Sequence, residues 1–226
     1  MVDLEEIFDN DDLNQFKKQV WKSNKDLRYT DYNLLQGAIY HQAIDIVEFI
    51  LKEKYFDINE QADDGQTAIV MAMNEFNQDA QDIVEMIFKY YSNIDADITD
   101  RLGRNALLSG LFSGIAERYN LRVAEITKNL EQLDTEMDET VVQACIRNQG
   151  MFRQHAQLLR MYIERGAVIS KPDLYKTMGL IDDVETSIVW KALKARDDLE
   201  EDILKIASSL EMDKFLPKEV QDIFLF

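Results

Sequence analysis

The feature that most constrains this 226-residue chain is a pattern that recurs three times with drifting spacing. Each copy has a turn, a short apolar run with a small residue in it, and then aliphatic pairs at helical spacing. The middle copy is the fullest: Asp64-Gly65-Gln66-Thr67-Ala68-Ile69-Val70-Met71-Ala72, followed by Ile83-Val84 and Ile87-Phe88. Before it stand Asn33-Leu34-Leu35, Ala38, Ile46-Val47, Ile50-Leu51 and Asp57-Ile58-Asn59. A third copy begins at Gly103-Arg104-Asn105-Ala106-Leu107, places Gly110 at the small position, and resumes at Leu158-Leu159, Tyr162-Ile163 and Gly166-Ala167. The small residue lets two antiparallel helices approach, while pairs at i, i+1, i+4 and i+5 face both the partner helix and the next unit. Such a unit cannot bury its apolar side alone, so stacking is required. Composition points the same way. With 8 Gly and 2 Pro, the chain lacks the closely spaced turn residues of a β-sandwich or barrel.

The pattern resembles the ankyrin repeat, whose motif reads approximately D-x-x-G-x-T-P-L-x-x-A, then I-V-x-x-L-L-x-x-G-A-D-I-N. The small residues at 38, 72 and 110 are 34 and 38 positions apart, near the 33-residue period of that family. No copy keeps the Pro, since Leu34, Ala68 and Ala106 stand there, and Gln36, Val70 and Leu108 replace the usual His. Thr67 is the only capping Thr. The resemblance covers residues 30–170 and implies an all-α fold: a short ankyrin-like solenoid of helix-turn-helix repeats. It also implies that the turns and inner helix faces meet a protein partner. Residues 1–29 read as an N-terminal cap or degenerate repeat, with a helix started by Asp11-Asp12 and carrying Leu13, Phe16, Val20 and Trp21. Residues 171–226 read as a C-terminal helical cap with short helices at 174–181, 184–193, 199–210 and 218–224.

The spacing from small residue to first aliphatic pair is 8 from Ala38 to Ile46, 11 from Ala72 to Ile83, and 48 from Gly110 to Leu158. Apolar residues from Leu108 to Leu133 and from Val142 to Ile163 step by three and four. They predict an elongated helical hairpin inserted at about 111–157, with arms 106–133 and 139–165 and a tip at 134–138. The rival description of the gap is one additional degenerate repeat.

Charge selects the partner. Net charge is −18, which disfavours nucleic acid and anionic membrane and favours a basic protein. Residues 57–100 hold 11 acids against Lys89 alone, whereas 141–180 hold six basic residues against Glu164 and Asp173. Asp57, Asp63, Asp64, Asp95, Asp97 and Asp100 fall in the turns flanking the middle copy and are the candidate partner-binding acids. Tyr55 and Tyr91 are the candidate aromatic anchors. No phosphate loop, nucleophile elbow or dinucleotide fingerprint occurs, no cofactor is expected, and an EF-hand begun at Asp95 fails at positions 100 and 106. His41 and His155 are isolated, and the single Cys145 reads as packing.

The expectation is therefore a non-enzymatic, monomeric, cytoplasmic binding module for a basic protein, such as a bacterial toxin-neutralising immunity protein. The acidic N-terminus does not read as a signal peptide, and the longest largely apolar stretch, Leu107 to Ala116, is about half of the roughly 20 residues a spanning helix needs. The alternative is a host-directed effector or adaptor, because Leu216-Pro217-Lys218-Glu219-Val220 opens like an F-box that is then cut short.

Overall fold

Side-chain oxygens start the helices. Asn33, Thr67 and Asn105 each accept a hydrogen bond from the backbone N–H three residues on, at 2.9, 3.4 and 3.0 Å. Asn does at two turns what Thr does at the third, and Asn33 also forms a reciprocal capping box with Gln36. In this computed structural model, residues 3–75, 77–135, 137–147, 149–182 and 187–209 are described. The helices of the first part are α1 (Leu4–Asp9), α2 (Leu13–Gln15, continuing as a π-helical segment Phe16–Trp21), α3 (Leu34–Tyr40), α4 (Ile44–Glu53), α5 (Ala68–Met73), α6 (Gln78–Tyr90), α7 (Ala106–Ser113) and α8 (Glu117–Ile126). Two short strands of two residues each follow, with β1 (Leu133–Asp134) antiparallel to β2 (Glu139–Thr140). The second part holds α9 (Val141–Ile146), α10 (Gln149–Gln154), α11 (Ala156–Glu164), α12 (Lys171–Leu180), α13 (Ile188–Lys194) and α14 (Glu200–Ser209). The chain divides into two compact units, Met1–Val141 and Val142–Phe226.

In the first unit α3, α5 and α7 pack side by side as a row of first helices, and α4 packs on α6 in a second row. The doublets Ile46-Val47 and Ile83-Val84 are buried between the rows. Ala38 and Ala72 are fully enclosed. At the same position in α7, a Cβ on Gly110 would overlap Asn120 Oδ1 and Met73 Cε and come within 3.0 Å of Ile115 Cγ2. The small residue is a steric requirement there. Hydrogen bonds made by side chains repeat with the period of the fold: Tyr32 to Asp64, Asn59 to Asn93 O, Gln61 to Thr99 O and Arg118 to Gln81 are 32, 34, 38 and 37 residues apart. At the N-terminal end, Asp12 caps α2, while the Asp11 carboxylate accepts from the N–H groups of Asp45 and Ile46 at the start of α4.

The elongated hairpin is not formed. Helix α7 stops at Ser113, where Gly114 takes the left-handed conformation (φ 79°) and its N–H returns to Gly110 O. This is a glycine helix stop. Helix α8 then turns back, burying Val123 and Ala124 as the third aliphatic rung. The chain arrives beside its own earlier turn: Lys128 and Asn129 N–H groups donate to Asp97, and Thr135 N–H donates to Leu102 O at 2.8 Å. Of the polar run 134–138 expected at the tip, Asp134 lies in β1, and Thr135, Met137 and Asp138 fall between β1 and β2. The return arm is likewise divided into α9, α10 and α11. The additional-repeat description fits this segment: Cys145 sits four residues after the start of α9, as Ala38, Ala72 and Gly110 do in α3, α5 and α7, and it is fully buried. Leu158-Leu159 thus belongs to a fourth helix group and not to a stretched third one.

The second unit repeats the same logic. Helix α11 packs on α13, and Gln143 to Asp173, Lys176 to Arg147 O and Arg196 to Ile163 O are 30, 29 and 33 residues apart. His155 is buried in this unit, with Nδ1 lacking a partner among the described residues, and burial lowers its pKa from the ordinary 6.5. The neutral ring therefore adds stability above about pH 6.5. That contribution is lost as pH falls from there toward the folded-state value, because the unfolded chain takes up a proton first. Between pH 7.5 and 5.5, about the range where an unperturbed His titrates, His155→Gln is expected to flatten the pH dependence of the melting temperature; parallel curves for both proteins would refute this. The expected helices at 218–224 and the F-box-like residues 216–220 lie outside the described residues, as do 184–186 and 210. No described helix is long and apolar enough to cross a membrane.

Candidate partner-binding surface

The turns that precede the first helices are built by Asp and Asn side chains folding back on their own backbone. Asp57 Oδ1 accepts from Asn59 N–H, Asp64 Oδ1 from Gln66 N–H and Asp95 Oδ1 from Asp97 N–H. Successive turns are tied by Asn59 Oδ1 accepting from Asp95 N–H and Asp64 O accepting from Arg101 N–H. The six candidate acids therefore separate by role. Asp57, Asp63 and Asp95 are exposed. Asp64 also accepts from the Tyr32 hydroxyl at 3.1 Å, and Asp97 holds Lys128 and Asn129. Asp100 departs from the expected exposure: it is buried, at 7%. Its two oxygens are taken by the N–H groups of Leu102 and Arg104 and by the Arg104 guanidinium. Four donors leave that carboxylate nothing to offer a partner.

The candidate aromatics act first within the stack. Tyr55 is 46% exposed, and its hydroxyl donates to Asp26 while its ring meets Trp21 edge-on. Tyr91 is half-buried, donates to Phe56 O, and has its pKa raised chiefly by burial. Next to it, Tyr90 donates to Glu48, and that bond, with Lys52 second, holds Glu48 down at about 2. These residues stitch one repeat to the next.

A cleft of about 370 Å³ lies on the other side, between the turns and the C-terminal ends of α3 and α5. Tyr32, Tyr40, Met71, Gln66, Asn74 and Glu75 line it. Tyr40 is 60% exposed at the end of α3, with the Tyr32 ring 5.7 Å away. Burial and the neighbouring Asp64 push the Tyr32 phenol up to about 12, so it stays a neutral donor.

Among solved structures, the chain is similar to the crystallised ankyrin repeat protein EF0377, with 18% identity and a TM-score of 0.61 over 86% of this chain and 97% of that one. It is similar also to an ankyrin repeat domain, ABAYE2397, from Acinetobacter baumannii AYE, with 17% identity and a TM-score of 0.58 over 90% and 97%. This is the ankyrin-repeat fold. No family model matches the sequence, and no curated protein matches it.

Within this ankyrin-repeat stack the first helices α3, α5 and α7 carry no charged residue, so the charge on this side comes from the turns and helix ends. The turn 57–67 alone holds Asp57, Glu60, Asp63 and Asp64 and no basic residue. Tyr32 and Tyr40 were not among the residues singled out by sequence reasoning. The available signal was a third tyrosine-rich stretch, Tyr29 to Tyr40, bracketing the first helix of a copy. His41 does not face open solvent: Nδ1 lies 2.6 Å from Asp9 Oδ1, and the ring packs against Phe8 and Tyr29. His41 and His155 lie in different units. Among the described residues no three His, Cys, Asp or Glu converge to hold a metal.

Proposed function

We propose that this chain is a non-enzymatic interaction module that takes a basic protein partner on the acidic turns of its first unit. The observation that carries this is the exposed charge of Asp57 and Asp63 in the 57–67 turn beside exposed Asp95, set next to an open cleft; Glu60 in the same turn is already paired with Arg28. Like-signed carboxylates on rigid turns raise the local concentration of a basic surface and speed its encounter. In this reading residues 1–29 cap one end of the repeats and residues 171–226 close the second unit, the chain working as a cytosolic monomer. Neutralising a basic toxin is the setting that this charge suits best, since occluding a basic active surface needs fast capture more than chemistry.

The test uses Asp57→Asn, Asp63→Asn and Asp95→Asn together. Asn keeps the oxygen that the turns need and removes only the charge. Captured from the native source at low salt, partners of the unsubstituted protein are expected to be basic. Their association with the triple variant is expected to slow about fivefold, with a weaker salt dependence. Partners that are neutral or acidic, or an unchanged on-rate, would defeat the proposal.

A further inference from the structure

The chain covers its aromatic rings with its own cations on the second-helix side of the stack. Lys17 sits 4.3 Å over Phe49, Lys25 4.5 Å over Trp21, Lys89 4.8 Å over Tyr90 and Arg122 4.3 Å over Phe88. Among the described residues, no Lys or Arg stacks on Tyr32 or Tyr40. These two rings are 5.7 Å apart and inclined by 33°. They form one wall of the 370 Å³ cleft, with Met71 at its side and Glu75 as the one charged lining residue. The cleft thus offers π-faces, amide carbonyls from Gln66 and Asn74, and a carboxylate, with no cation of its own.

We propose that this cleft seats a single arginine side chain of the partner, its guanidinium over Tyr40 and its N–H groups directed to Glu75 and the amide oxygens. A guanidinium is weakly hydrated, planar and rich in donors, so it suits a site that pairs ring faces with several acceptors. Its volume is small enough for the cleft, and the acidic turn next door supplies long-range attraction. This rests on the proposed function in one respect: the arginine belongs to the basic protein captured by the turns. It adds the place where that protein is read.

The probe is a blocked pentapeptide with one central arginine, compared with the same peptide carrying neutral citrulline. Each is titrated into the isotopically labelled full chain while backbone amide shifts are followed. The arginine peptide is expected to shift residues 39–42, 66, 71 and 74–75 saturably, with a Kd in the millimolar range of about 1–10 mM. Citrulline is expected to bind at least about fivefold more weakly. Tyr40→Ala is expected to weaken the arginine peptide by about the same factor and Tyr40→Phe to keep it within about twofold, since the ring and not the hydroxyl does the binding. Equal binding of both peptides, no effect of Tyr40→Ala, or no saturable shift in the cleft would overturn the assignment. The two proposals fail separately. Shifts confined to residues 57, 63 and 95 sink the cleft and leave the acidic surface standing. Cleft shifts together with an unchanged on-rate in the triple Asn variant would do the reverse.

Discussion

Gly103→Ala is expected to lower the unfolding free energy by about 3 kcal/mol, combining an unfavourable left-handed backbone with a steric clash. Gly103 has φ 77°, and a Cβ there would lie 2.7 Å from the backbone oxygen of Leu133 and 3.1 Å from Thr135 Cγ2. The obstacle is backbone, so it cannot swing aside. To relieve it, the segment 132–135 must withdraw, breaking the bonds from Thr135 N–H to Leu102 O and from Gln132 Nε2 to Gly103 O. Gly114→Ala supplies the control. It shares the left-handed backbone, φ 79°, but its Cβ would meet nothing within 4 Å, so only the conformational cost of about 1 kcal/mol applies. Urea unfolding of the two variants separates the contact from the conformation. Equal losses would mean that the 132–135 segment does not lie against the turn.

Asp100→Ala is expected to cost a similar amount, about 3 kcal/mol, for an electrostatic reason. The substitution strips Oδ1 from two turn N–H groups and leaves the Arg104 guanidinium, 19% exposed, without the Oδ2 that accepts from its Nε and Nη2. Asp134 Oδ2, 3.9 Å from Arg104 Nε, offsets part of that loss. Because Asp100 and Arg104 act as a unit, the pair of substitutions Asp100→Ala and Arg104→Ala should cost less than their sum by about 1–2 kcal/mol in a double-mutant cycle. Additive losses would show that the two side chains are independent, against the geometry. Asp100 is also the residue for which the turn's charge was most misleading in the sequence: an Asp in an acidic turn looks like binding surface, whereas in the fold four N–H groups already occupy it.

The repeat itself was legible because it is enforced sterically. Small residues at 38, 72 and 110 and the doublets at 46–47 and 83–84 sit in closed surroundings that limit their size and polarity. Capping was half legible, as Asn33 and Asn105 perform the task expected of Thr. The third unit was misread for two reasons. Ile115, Tyr119 and Val123 continue the apolar period across Gly114, so a glycine that ends a helix passed as a weak point inside one. And Val123-Ala124 is a poor aliphatic doublet, which let Leu158-Leu159 stand in for it. Periodicity of three and four cannot distinguish one long helix from two short ones that reverse. The candidate site was legible only as charge. Which acids are exposed depends on Asx turns and bonds between turns, and the cleft depends on Tyr40 closing the end of α3, none of which leaves a periodic trace.

After α8 the chain returns to its own preceding turn, aligning successive turns along one side of the first unit. Spin labels at Arg101 and Met137, both exposed, with the buried Cys145 replaced by Ala, measure this directly. Residue 135 hydrogen-bonds to residue 102, so with a few residues of backbone on each side the labels are expected within about 20 Å of each other. A long helical hairpin would carry Met137 to the far end of a 28-residue arm, about 40 Å away. A distance distribution centred near that larger value would contradict the account.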